Sequence, residues 1–127
     1  VSNYVLDASV ILALLNNEPG SEIVLNVLTT AVISSVNLSE VVAKLADSGM
    51  PEVEVREVIS TLGLEIINFD TEMAYRAGML RPLTRSAGLS FGDRACLTLG
   101  KSLDLPILTT DRTWADLNLG INVRVIR

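Results

Sequence analysis

Ile107-Leu108-Thr109-Thr110-Asp111, near the C-terminus, reads as a short buried strand that ends on two hydroxyls and a carboxylate. Tyr4-Val5-Leu6-Asp7, near the N-terminus, has the same form: an apolar strand that stops on Asp. If the two strands lie side by side and parallel, their last residues meet at one edge of the sheet, and Asp7 and Asp111 face one cleft. Each Asp also precedes a helical stretch, where Asp is a favourable N-cap. Taken singly, each reads as a cap, and a strand-end carboxylate can cap and still face a cleft.

Working outward from these strands, apolar runs and helical patterns alternate along the chain. The first strand covers 3–7, followed by helices at 8–16 and 21–28, separated by the stop Asn16-Asn17-Glu18-Pro19-Gly20. A strand at 31–35 leads into a helix at 37–48, and Pro51 opens another that runs to Leu62. A third strand at 64–69 precedes a helix from Asp70 through Arg81, which Pro82 interrupts. After the loop Ser86–Gly88 come a helix at 90–103, the strand 106–110, a short helix at 113–117 and a last strand at 122–126. This order predicts an α/β fold, a three-layer α/β/α sandwich around a central parallel sheet, as a single domain spanning residues 1–127. In such sheets ligands bind beyond the carboxyl ends of the strands, where the strand order reverses.

Composition narrows the chemistry. The chain has no histidine and one cysteine, Cys96. That excludes Ser-His-Asp and Cys-His hydrolases, histidine-based general acid–base nucleases and zinc sites built on His or several Cys. Hydrolysis would have to run on carboxylates, hydroxyls and hard metal ions. The longest largely apolar run, Ala8 to Leu15 with Ser9 within it, is well short of the roughly 18 residues a membrane span needs. With no secretory-type N-terminus and no disulfide partner for Cys96, the expectation is a cytoplasmic protein without a membrane partner. The net charge of −5 and pI of about 4.6 argue, taken alone, against a nucleic-acid partner.

Of the remaining carboxylates, Asp93 is the most informative. Ser90-Phe91-Gly92-Asp93 fits a capping box. On a helical wheel, however, Asp93 shares a face with Cys96, Leu97 and Gly100, and no basic residue lies at i+3, i+4 or i+7. A charge on that small, apolar face needs a partner, and a bound cation is one. Glu40 lies away from Leu38, Val41, Val42 and Leu45, beside Ala43 and Asp47, which a solvated face explains. Asp104 follows a helix; Asp116, five residues after Asp111, is a candidate supporting ligand. Gly100-Lys101-Ser102 echoes a phosphate-binding loop but falls at a helix C-terminus, with Ala95 where a second Gly is required.

Four segments together resemble, in order and spacing, the PIN-domain family and most closely its VapC-type toxins: Leu6-Asp7-Ala8-Ser9, Asn37-Leu38-Ser39-Glu40, Leu89-Ser90-Phe91-Gly92-Asp93-Arg94-Ala95 and Leu108-Thr109-Thr110-Asp111-Arg112-Thr113-Trp114. Each motif is short, but four in order over nearly the whole chain are specific together. The resemblance implies strand order 3-2-1-4-5 and metal-dependent cleavage of RNA, with Asp7, Glu40, Asp93 and Asp111 as catalytic and metal-binding residues. It adds Ser9 and Asp116 as supporting residues, and it alone promotes Glu40. Carboxylate oxygens suit Mg²⁺ or Mn²⁺, and the products expected are 5′-phosphate and 3′-hydroxyl ends. The resemblance further implies a homodimer and a small antitoxin whose tail fills the acidic cleft. RNA would need a local positive field, for which Arg76, Arg81, Arg85, Arg94 and Arg112 are candidates beside their reading as solvated surface.

Two other classes compete. A receiver-like, Mg²⁺-binding signalling module would suit the size and the alternation, but Asp7 is followed by Ala8 and no phosphoacceptor Asp follows the third strand in a loop. A haloacid-dehalogenase-like phosphatase requires Asp where Ser9 stands. A PIN scaffold that binds RNA or protein without cutting is the third alternative.

Overall fold

The computed structural model describes residues 2–127. Five parallel strands form its sheet: β1 (Tyr4–Leu6), β2 (Ala31–Ser34), β3 (Glu65–Ile67), β4 (Ile107–Thr109) and β5 (Val123–Val125), in the order β3-β2-β1-β4-β5. The helices are α1 (Ala8–Leu15), α2 (Ser21–Val27), α3 (Ser35–Asp47), α4 (Glu52–Leu62), α5 (Thr71–Met79), α6 (Arg81–Thr84) and α7 (Phe91–Leu103). Short 3-10 turns occupy Leu28–Thr30 and Arg112–Asp116.

Alternation along each strand builds the layers, because successive side chains point to opposite faces. Leu6, Ile33 and Leu108 enter one core with Val10, Ile11, Val24 and Val41. Val5, Val32 and Ile107 enter the other with Cys96, Leu97, Leu99 and Trp114. Both faces are covered, which is why these strands read as continuous apolar runs. The expected α/β/α sandwich and strand order are what the chain adopts.

The topology removes one competitor. A receiver-like sheet has the order 2-1-3-4-5, with the first strand between the second and third. Here β1 lies between β2 and β4. The β1/β4 seam is the place where the order reverses, and Asp7 and Asp111 stand at its carboxyl end.

Several boundaries differ from the sequence expectation. Each observed strand is shorter by one to three residues than predicted, although the hydrogen bonding runs on: Asn3 N donates to Thr30 O at 2.6 Å and Asp7 N to Leu108 O at 3.0 Å. The helix expected through Arg81 ends at Met79. Pro82 then sits in the first turn of α6, where its missing N–H is no loss. Helix α3 starts earlier than predicted, at Ser35, because Ser34 Oγ accepts the Val36 N–H and caps it. The stop before α2 depends on Gly20: its φ is +94°, and an added Cβ would stand 3.0 Å from Ile126 O. Among the described residues no helix is long and apolar enough to cross a membrane.

Candidate functional site

Asp7 is the buried centre of the β1/β4 edge, only 6% exposed. Register places it there, since Leu6 pairs with Leu108 and the next residues, Asp7 and Thr109, are neighbours. Thr109 Oγ1 donates to Asp7 Oδ2 at 2.9 Å and Ser9 Oγ donates to the same oxygen at 2.6 Å. Each hydroxyl is in turn fixed by a backbone amide of the β4 turn: Asp111 N donates to Thr109 Oγ1 at 3.1 Å and Thr110 N to Ser9 Oγ at 3.0 Å. Two relays therefore run from the turn to Oδ2, and neither uses Oδ1. Burial pushes the Asp7 carboxyl up from 3.8 to about 6; the Ser9 and Thr109 bonds oppose this, while Asp93 and Glu40 add to it. No cationic side chain counters the rise.

Glu40 and Asp93 come from the α3/α7 contact. Asn37, fully buried, donates from Nδ2 to Glu40 Oε1 at 2.8 Å and to Gly92 O at 2.9 Å. The Glu40 carboxylate lies against Gly92 so closely that a Cβ there would overlap it. This corrects the solvated-face reading: Ala43 and Asp47 are exposed, but Glu40 is half-buried, because the start of α7 lies across it. Asp93 forms the expected capping box, its Oδ2 accepting the Ser90 N–H at 2.9 Å while Ser90 Oγ accepts the Asp93 N–H at 3.1 Å. Cap and cleft readings coexist at Asp93. The positive end of the α7 dipole supports both anions at this terminus.

Beneath them lies Cys96, fully buried. Burial pushes its thiol well above the ordinary range, and Asp7, Asp93 and Glu40 push it further. Asp7, Glu40 and Asp93 therefore share one electrostatic environment, although among the described residues no three acidic or thiol side chains stand close enough to hold an ion as they are.

Asp111 is oriented differently. Its Oδ1 accepts from Thr113 N at 3.0 Å and Thr113 Oγ1 at 2.7 Å, capping the 3-10 turn, and it is not among the charges that raise Asp7. Its link to Asp7 runs through its backbone amide and Thr109. Asp111→Ala is expected to cost about 1 kcal/mol in chemical denaturation, the ordinary worth of an N-cap, and Asp111→Asn much less. Asp116 is exposed at the end of the same turn.

Thr109, Asn37 and Gly92 were assigned no role from sequence. Their signals were present: a hydroxyl beside a strand-end Asp, a polar pair three residues apart on a helix, and a glycine in a first helical turn.

Of the five arginines, one is neutralised by an ion pair and two are tied to backbone carbonyls. Arg76 pairs with Glu72, Arg94 Nη1 donates to Ala77 O, and Arg112 Nε donates to Arg127 O. Arg81 and Arg85 are exposed and make no ion pair among the described residues.

The sequence model of the PIN domain family matches residues 4–118, and the chain belongs to that family. Its fold is similar to a chain of the DNA-bound VapBC of Salmonella typhimurium, with a TM-score of 0.79, 22% identity and 100% of each chain covered. It is also similar to a chain of VapBC2 from Rickettsia felis bound to a promoter DNA fragment, with a TM-score of 0.77, 19% identity, and 96% of this chain and 97% of that one covered. A toxin–antitoxin complex from Klebsiella pneumoniae gives a TM-score of 0.76 at 18% identity, covering 98% of each chain. No curated protein sequence matches significantly.

Proposed function

We propose that this chain is a divalent-metal-dependent endoribonuclease of VapC type, the toxin of a toxin–antitoxin pair. The observation that carries the reading is the Asp7 carboxyl, buried at the strand-reversal edge of the sheet with Ser9 and Thr109 both bound to one of its oxygens, and raised chiefly by that burial and further by Asp93 and Glu40. A cation at this edge would neutralise Asp7, Glu40 and Asp93 together, and this donor set is all hard oxygen, which fits Mg²⁺ or Mn²⁺ and not a softer ion. Membership of the PIN family supports hydrolysis of a phosphodiester.

In this reading Asp7, Glu40 and Asp93 hold the ion, and Asp111, with Asp116 more distantly, lines the edge. When bound, the ion supplies an acidic water for in-line attack on the phosphorus and charge neutralisation for the leaving 3′ oxygen. The chain's own residues supply orientation. Ser9 and Thr109 occupy Oδ2 of Asp7, which leaves Oδ1, among the described residues, free of hydrogen bonds for a ligand. Asn37 and Gly92 hold the Glu40 carboxylate against the start of α7.

The similarity to chains of toxin–antitoxin complexes supports a small antitoxin covering the acidic edge. The exposed Tyr75, Met79 and Leu83 give the chain an apolar surface to bury, which supports a homodimer. A soluble cytoplasmic toxin is the matching cellular setting.

Incubation with total RNA in Mg²⁺ or Mn²⁺, followed by mapping of the cut ends, tests the reading. Expected are 5′-phosphate ends, no cleavage in EDTA and none by a folded Asp93→Asn variant. Full activity in EDTA or in that variant overturns it, and RNA left intact in either metal points to a non-cutting PIN scaffold.

A further inference from the structure

Beside the acidic edge lies a second concavity of about 550 Å³, lined by Phe69, Phe91, Ser35, Ser39, Glu40 and Gly92 among others. Phe91, the first residue of α7, is 49% exposed. A single exposed apolar residue is ordinary, but this one is held in place on two sides. Phe69 meets it at 90° with ring centroids 5.4 Å apart. The Arg94 guanidinium lies 5.8 Å from the centroid of the Phe91 ring, and Ala77 O fixes that guanidinium at 3.0 Å. The ring is thus exposed and oriented at once, and Glu40 and Gly92 belong both to this concavity and to the carboxylate cluster.

We propose that Phe91, steadied by Phe69 and Arg94, is a stacking seat for a nucleobase of single-stranded RNA next to the scissile phosphate. The inference rests on the nuclease reading of the adjoining site. Unstacked bases are bound on aromatic faces and arginine planes, and such stacking tolerates any base. A chain of net charge −5 gains little from a general phosphate field. Affinity for a single strand must then come from local contacts, and two of the chain's few rings stand together at the edge of the acidic cluster. The two rings suit a base, the Glu40 carboxylate beside them disfavours a phosphate, and Ser35 Oγ, accepting the Phe69 N–H at 3.0 Å, holds Phe69 in the lining.

The test compares Phe91→Ala, Phe91→Leu and Phe91→Trp with wild type, both in steady-state cleavage and in fluorescence anisotropy. Anisotropy uses a labelled mixed-sequence single-stranded RNA and an Asp93→Asn background, so that the strand is not consumed. Phe91→Leu keeps the packing on Phe69 but has no ring. Expected is a roughly tenfold loss of affinity, and a matching rise in KM at unchanged kcat, for the Ala and Leu variants, with Trp equal to wild type or tighter. Cleavage with a KM indifferent to Phe91→Leu overturns the seat and leaves the nuclease reading standing. Phe91-dependent binding by a wild type that never cuts does the reverse. No RNA binding at all overturns both, and loss of binding to a partner peptide with RNA affinity intact assigns this surface to protein instead.

Discussion

Asp7→Asn is expected to abolish cleavage and, in the same protein, to raise the stability of the metal-free fold at neutral pH. The two effects have one cause. Asp7 is buried with its carboxyl raised from 3.8 to about 6, and burial is the largest contribution to that rise. A carboxyl raised on folding binds its proton more tightly in the folded state, so stability falls as pH increases. The contribution of the protonated group is complete below about pH 4 and is lost as pH climbs through about 6, on the order of 3 kcal/mol in total. Asparagine is never charged, and its amide oxygen still accepts from Ser9 and Thr109. The variant should therefore lose that pH slope and exceed wild type in denaturant midpoint at pH 7. Saturating Mg²⁺ should stabilise the wild type at pH 7 more than the variant, which keeps Glu40 and Asp93 but binds the ion more weakly, because stabilisation by a ligand follows its affinity for the folded state. Loss of cleavage should be on the order of a thousandfold, the upper range for one electrostatic group at a reacting centre. A wild type with flat stability between pH 4 and 7 would show that Asp7 is not desolvated as described.

Gly92→Ala is the second large effect, and it runs against local preference. Alanine is favoured over glycine within a helix by about 1 kcal/mol, so helix propensity alone predicts a more stable protein. The added Cβ would overlap the Glu40 carboxylate, which Asn37 holds against the Gly92 backbone. Glu40 must leave that seat, and with it goes the oxygen that Asn37 orients. Loss of a residue that orients a metal ligand is typically worth about 10–100-fold. The expected result is therefore a comparable drop in kcat and a weakened Mn²⁺ affinity by calorimetry, with folding stability within about 1 kcal/mol of wild type. Unchanged Mn²⁺ affinity would remove Glu40 from the site.

Both variants turn on how much of the site local sequence pattern encodes. Asp7 and Asp111 were visible as strand-end carboxylates, and strand-end position is a local property of an apolar run followed by a helix. Asp93 was visible because a charge on an apolar helical face lacks a basic neighbour within its own helix. Glu40 reads as solvated on a helical wheel, which carries no record of a second helix crossing it, and only the family resemblance selects it. The start of α7 covers Glu40 from more than fifty positions further along the chain. Asp111 shows the opposite limit: its position at the edge was legible, but Thr113 holds its carboxylate as a cap, and the contact between the two strand ends passes instead through Thr109.

Periodicity, turn residues and the absence of histidine thus determine the alternating α/β layers, the strand-end carboxylates at the sheet's carboxyl edge, and the lack of any imidazole to join them. These follow from constraints acting over a few residues or from composition. Only the tertiary structure decided that Ser9 and Thr109 both bind one oxygen of Asp7, that Gly92 makes room for Glu40, and that Phe91 stands exposed beside them. Those contacts join residues tens of positions apart, and parallel register and helix crossing, which no local pattern encodes, bring them together.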